Sequence, residues 1–368
     1  MKSLSAHIKE TIKYAVLVAV ALGMAACDSI LDNEDENCPV GLYVSFKYDY
    51  NIERADIFKD QVGSVTVYVY DEQDKLVAQQ TCENHPGNEP LKQYGYQMHF
   101  PDLPVGKYRL VAWANQCSYD ETLVDGANFV RTNVTEGSSP EELQVRLDRT
   151  PKSRATDEET LAHVGHGNMP LDTLWNGCNT HYVEVIKDRP SYDTLSLVRD
   201  TKMLTISLHH LDADKRTEMN PDDYQLFIVD NNGLLGHDNI PLADEDIVYT
   251  PFHAWVTEYP DENGDIVERA AHFGLMTSRL MYYADQKKNA LLVIRNKATG
   301  EEVVVVDLPY YLAQGRNAID TYRYKHQEFL DRENNYGLDF YLQGNSWSHV
   351  FLRISILSWS KRIQNVLL

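Results

Sequence analysis

From residue 42 the chain alternates. Leu42, Val44, Phe46, Tyr48 and Tyr50 fall on one side of an extended backbone and Tyr43, Ser45, Lys47 and Asp49 on the other, because successive strand side chains point to opposite faces. Residues 62–70 are a β-branched and aromatic run that stops at Asp71-Glu72-Gln73-Asp74, and residues 76–81 follow as its hairpin partner. Further strands are predicted at 94–100, 107–115, 143–147 and 182–186. In the second half, 203–209 alternates, and 224–229 ends at the turn Asp230-Asn231-Asn232-Gly233. Residues 290–296 and 301–308 form a hairpin across Lys297-Ala298-Thr299-Gly300, and 337–342 and 350–357 close the series. Only 214–223 and 309–317 read as short helical pieces. Strands this short and this frequent predict an all-β chain of antiparallel sandwiches.

The first forty residues follow another pattern. Residues 14–26 are apolar or small and uncharged, after an n-region carrying Lys2, Lys9 and Lys13, the layout of a secretory signal peptide. The run is shorter than the roughly 20 apolar residues a spanning helix needs. Met24-Ala25-Ala26-Cys27 resembles a bacterial lipobox, with Met24 where leucine is more usual; the Cys27 thiol would take a diacylglycerol and become the mature N-terminus. One acyl chain holds a protein marginally; two or three, at about 0.8 kcal/mol per buried methylene, hold it durably. The competing reading is an ordinary cleaved signal whose Cys27 forms a disulfide. Asp28, Asp32, Glu34, Asp35 and Glu36 follow with no basic residue among them, so residues 27–37 read as a solvated tether. In lipoproteins of Bacteroidota a similar acidic run looks like a signal for export to the outer face of the outer membrane.

A chain of 368 residues has room for two domains. Removing residues 1–26, with three lysines and Glu10, moves the formal charge from −21 to −21 − 2 = −23. That balance weighs against nucleic acid as a partner and against anionic headgroups held by a basic patch. Cys38, Cys82, Cys117 and Cys178 are candidates for disulfides in an exported chain; four thiols allow three pairings, and their spacing matches no zinc motif. A break at Asp188-Arg189-Pro190-Ser191-Tyr192 suggests two units, 38–190 and 191–368. The final VFLRISILSWSKRIQNVLL is interrupted by Arg353, Lys361 and Arg362 and reads as a terminal strand, since charges in a bilayer centre cost a few kcal/mol each.

Catalytic signals are weak. No glycine-rich phosphate loop, nucleophile elbow or zincin helix occurs. His163 and His166 lie in a loop, and His209 and His210 point to opposite sides of a strand. Ser358-Trp359-Ser360-Lys361 follows a strand rather than opening a helix. Asp261-Glu262-Asn263-Gly264-Asp265 lacks the ligand count of an EF-hand and serves as a hairpin turn. The 23 tyrosines fill sheet faces or offer stacking surfaces for sugars. The expectation is a protein that is not an enzyme and binds no cofactor or metal, with a glycan-binding surface lipoprotein as the second reading. Asp172-Thr173-Leu174 and Asp193-Thr194-Leu195 resemble O-glycosylation sites.

Taken in order, the parts resemble a known family. The lipobox cysteine, the acidic tether, Cys38-Pro39-Val40-Gly41-Leu42-Tyr43-Val44-Ser45-Phe46, Val65-Thr66-Val67-Tyr68-Val69-Tyr70-Asp71 and Leu103-Pro104-Val105-Gly106-Lys107-Tyr108-Arg109-Leu110-Val111-Ala112-Trp113-Ala114 are similar to the fimbrial anchor lipoproteins of Bacteroidota. So are Arg199-Asp200-Thr201-Lys202 and the closing Trp359 with Arg362-Ile363-Gln364-Asn365; Asn115 departs from a more common glycine. The resemblance implies two tandem transthyretin-like β-sandwich domains and a structural role: attaching fimbriae to the outer membrane. Partners would be the fimbrial shaft or accessory subunits, joined by strand addition, with 350–357 or 42–50 bordering the exchanged edge.

Overall fold

The computed structural model describes residues 40–117, 128–150, 161–317, 323–356 and 359–365. Its strands, numbered along the chain, form five sheets. The first has the order β12 (Pro190–Ser196), β1 (Gly41–Lys47), β4 (Gln97–Phe100). The second runs β13 (Val198–Arg199), β10 (Leu174–Cys178), β5 (Gly106–Asn115), β2 (Ser64–Tyr70), β3 (Leu76–Glu83), with β11 (Val183–Val185) also on β5. The third is β16 (Leu234–Gly236), β7 (Gln144–Leu147), β6 (Phe129–Arg131). The fourth is β18 (His253–Pro260), β19 (Ile266–Thr277), β14 (Lys202–His210), β22 (Asn335–Gln343), β23 (Ser346–Ile356), β24 (Trp359–Asn365). The fifth is β21 (Glu302–Asp307), β20 (Leu291–Asn296), β15 (Tyr224–Asp230), β17 (Ile247–Tyr249), β9 (Ala162–Val164), β8 (Arg149–Thr150). Three pairs are parallel, β1 with β12, β14 with β22 and β9 with β17.

The second sheet explains why residues 62–70 carry little polar character. Val65, Val67 and Val69 of β2 join Leu110, Ala112, Ala114 and Trp175 in a core closed by Leu42, Val44 and Phe46 of the first sheet. Their neighbours Tyr68, Tyr70, Val111, Trp113 and Leu174 face the other way, into a larger core with Phe129, Val145 and the inward residues of the fourth and fifth sheets. Every residue of β2 is therefore buried, and side chains of that size contribute about 1.5–3 kcal/mol each. At its entrance Gly63 passes so close to Gln116 that a Cβ would sit 1.9 Å from the carbonyl oxygen.

Strand pairing crosses the unit boundary expected at residue 190. A turn does occur at Asp188, whose φ is 56°, but the chain then runs back along β1 as β12, and β13 joins β10. The second unit opens at β14. Conversely, β8 and β9 complete the fifth sheet and β16 pairs with β7, so the two halves exchange strands. Three helices occur among the described residues: α1 (Phe58–Gln61), α2 (Leu308–Ala313) and α3 (His326–Arg332). α2 fulfils the helical piece expected at 309–317. The piece expected at 214–223 has only a short 3-10 turn, Pro221–Asp223.

Candidate functional site

Where the two halves meet, charge is buried. Lys202, the first residue of β14, shares the parity of Leu204, Ile206 and Leu208, so strand alternation turns it inward. An unpaired ammonium there would be prohibitive. Lys202 Nζ instead donates to Asn334 Oδ1 at 2.7 Å, to the carbonyls of Arg199 and Glu333 at 3.2 Å and to that of Asp331 at 3.4 Å. Asn334 Nδ2 donates to Tyr48 Oη at 2.8 Å, tying the end of the first strand to the entrance of β22. Beside it Arg279 grips Asp331 with two bonds, 2.9 Å from Nε and 2.8 Å from Nη2, and Asn239 Nδ2 donates to buried Asp200 at 2.7 Å. The Arg332 guanidinium lies 3.9 Å from the Tyr50 ring centroid, and its carbonyl accepts from Ile52 N–H. The motif Arg199-Asp200-Thr201-Lys202 thus forms a rigid joint between the halves. Its inward lysine was legible in the alternation of β14; its partners on residues 331–334, more than a hundred residues away, were not.

The outer faces carry rows of rings. Tyr192, Tyr43 and His99 stack across the first sheet at 5.4 and 4.1 Å. On the fourth sheet His209, Tyr341 and His349 stack at 4.7 and 4.6 Å, and His253, Trp255 and His272 at 5.1 Å. Rings inside each row spend their faces on one another, which leaves less flat surface for a sugar than isolated rings would. The sheet ends are more open. β1 is paired on both sides, with β12 and β4, so it borders both edges of the first sheet without being one. β23 lies one strand in, covered by β24 in a register from Val350 opposite Asn365 to Ile356 opposite Trp359.

The other sequence candidates do not converge. Cys27, Cys38 and Ser358 lie outside the described residues. Cys82 and Cys178 are thiols; β5 and β2 separate them by about 14 Å, twice the Cα span of a disulfide. Cys117, beyond the end of β5, has β2 between it and Cys82 and lies six residues past Val111, the partner of Cys178. His166 Nε2 lies 2.9 Å from Thr250 Oγ1, and His209 Nδ1 lies 2.8 Å from Glu268. No group of three metal-ligating side chains occurs among the described residues. Asp261 Oδ1 accepts from the N–H groups of Asn263 and Asp265, which closes the hairpin turn. Of the two Asp-Thr-Leu sites, Thr173 is buried and Thr194 is exposed on β12.

One carboxyl makes stability depend on pH. Burial pushes Asp230 from 3.8 up to about 7, with Asp246 adding to the rise, and its Oδ2 has no hydrogen-bond partner. Below the unfolded value both states are protonated. Above it only the unfolded chain releases the proton, so this contribution is lost as pH rises through about 7. Asp230→Asn removes its share of the dependence: relative to the parent, the variant should gain on the order of 4 kcal/mol between pH 4 and pH 8 in urea unfolding. Parallel profiles would contradict this.

Residues 34–365 match the model of the fimbrillin-A associated anchor proteins Mfa1 and Mfa2. The chain belongs to this family of fimbrial anchor proteins. It is 20% identical over 298 residues to the minor fimbrium anchoring subunit Mfa2 of Porphyromonas gingivalis, covering 81% of this chain and 79% of that one. The anchor family's fold is shared with the solved structure of Mfa2 from the same organism, at 16% identity and a TM-score of 0.58 over 88% of this chain and 99% of that one. A candidate adhesin from Bacteroides thetaiotaomicron superposes with a TM-score of 0.70 at 25% identity, over 90% of this chain and all of the other. A candidate polysaccharide-binding protein from that species gives 0.65 at 28% identity, over 89% and 99%.

Proposed function

We propose that this anchor-family chain is held by lipid on Cys27 at the outer face of the outer membrane and joins fimbrial shaft or accessory subunits by strand addition. The observation that carries the reading is the family match from residue 34 to 365, which leaves outside it little more than the signal peptide, Cys27 and the start of the acidic tether. Mechanically the role asks for a body that passes load from a membrane attachment to a fibre. The buried joint around Lys202 and Arg279 supports this, because it fixes the halves against each other. β24 supplies the exchangeable element: when it leaves β23, a row of N–H and C=O groups becomes available to a partner strand, and alternate side chains set specificity. The glycan-binding reading has less support, since the ring rows stack face to face.

Removal of residues 359–368 tests strand addition. The truncated chain should remain in the membrane fraction, keep its β-type circular dichroism and lose co-purification with fimbrial subunits. Undiminished recovery of those subunits would exclude β24.

A further inference from the structure

The cage around Lys202 contains more than a satisfied ammonium. The acceptor nearest to Nζ is the side-chain amide of Asn334, at 2.7 Å, whereas the three carbonyls stand at 3.2–3.4 Å. The next residue back is a second buried acid. Glu333 Oε1 accepts from the N–H groups of Asn334 and Asn335, at 2.9 and 3.0 Å, while Oε2 is buried with no hydrogen-bond partner. Lys202, Glu333 and Asn334 are 0%, 2% and 7% exposed, so water is excluded from all three. We infer that Lys202 and Asn334 form an intramolecular isopeptide bond, the Lys202 amine displacing ammonia from the Asn334 carboxamide.

An amine attacks a carboxamide very slowly in water, because the amine is protonated, the carbonyl is a poor electrophile and the amide nitrogen a poor leaving group. The joint addresses each obstacle. Burial lowers the Lys202 ammonium and pushes the Glu333 carboxyl up to about 7, which favours a neutral amine and a protonated acid within one buried cluster. The charges around Lys202 are Asp331, Asp200, Arg199 and Arg279, and the Arg279–Asp331 pair is already mutually satisfied. In the step, the Nζ lone pair forms a bond to Cγ, and Glu333 gives its proton towards the carboxamide and recovers one from Nζ. The Cγ–Nδ2 bond breaks and Nδ2 departs as ammonia, with Tyr48 Oη, 2.8 Å from Nδ2, beside the leaving group. Atoms balance without an oxidant or cofactor. Proximity is supplied by the fold, because parallel β14 and β22 set Met203 opposite Asn335 and bond Met203 N–H to the Asn334 carbonyl at 2.8 Å. Holding two reactants in this way is worth a large effective concentration.

The bond would span 132 residues and join the opening strand of the second half to its parallel neighbour at the joint. It stands independently of the fimbrial reading: either can fail alone. Peptide mapping of the full chain purified from cells decides it. Trypsin should fail to cut at Lys202 and should yield a branched species of residues 200–215 joined to residues 333–353, about 17 Da lighter than the two peptides together, the mass of the ammonia expelled by the acyl transfer. Complete cleavage after Lys202 with an intact linear Asn334 peptide overturns the inference. Lys202→Arg should give only linear peptides. Glu333→Gln, folded by circular dichroism, should also give linear peptides, and a branched peptide in that variant would remove Glu333 from the step.

Discussion

Replacing Asp331 with alanine should lower the free energy of unfolding by about 3–5 kcal/mol, the scale on which a buried ion pair fails when one partner is removed. The Asp331 and Arg279 side chains are 8% and 13% exposed. Arg279 uses both Nε and Nη2 on the carboxylate, and Gln327 Nε2 donates to the same carboxylate at 3.0 Å. Alanine would leave the guanidinium buried with only the Asn239 carbonyl as a partner, and water cannot reach it without opening the joint between the halves. The double variant Arg279→Leu, Asp331→Leu should lose less, because the two opposite charges go together and buried Lys202 and Asp200 keep each other as partners. Urea unfolding followed by tryptophan fluorescence measures both. A loss below about 1 kcal/mol for Asp331→Ala would mean that the pair behaves like an exposed one and that the joint is not rigid.

How far the sequence predicts this arrangement depends on whether the determining contacts are local. β2, β5 and β14 were legible because period-two patterning and β-branched residues report a strand directly. The β18–β19 hairpin was announced only by its turn: Trp255, Val256, Thr257 and Tyr259 mix apolar and polar character on a strand that is largely exposed, so the alternation has little contrast. Pro190 reads as a break, yet β12 begins on it, and proline is tolerated as the first residue of an edge strand. That one residue set the expected boundary. Pairing of β9 with β17, and of β16 with β7, joins segments tens of residues apart, and no local pattern encodes such neighbours. The site divides in the same way. Cys27 and the acidic tether are visible because they are contiguous, whereas Lys202, Asn334, Arg279 and Asp331 meet only in the folded chain.

The second large effect concerns attachment. Cys27 lies outside the described residues and contributes nothing to the packing described above, so Cys27→Ala should leave unfolding unchanged. Its expected effect is on location. Loss of two or three acyl chains, at about 0.8 kcal/mol for each buried methylene, would change a durable hold on the bilayer into none, and a net charge of −21 gives the chain no compensating attraction to anionic lipid. Fibres joined to the chain would leave with it.

Metabolic labelling with radioactive palmitate, followed by fractionation of cells and medium, therefore bears most directly on the proposed role. The account predicts label in the membrane-bound parent, none in Cys27→Ala, and release of that variant into the medium together with fimbriae. An unlabelled parent free in the culture fluid, or a Cys27→Ala chain that still holds fimbriae on the cell, would contradict it.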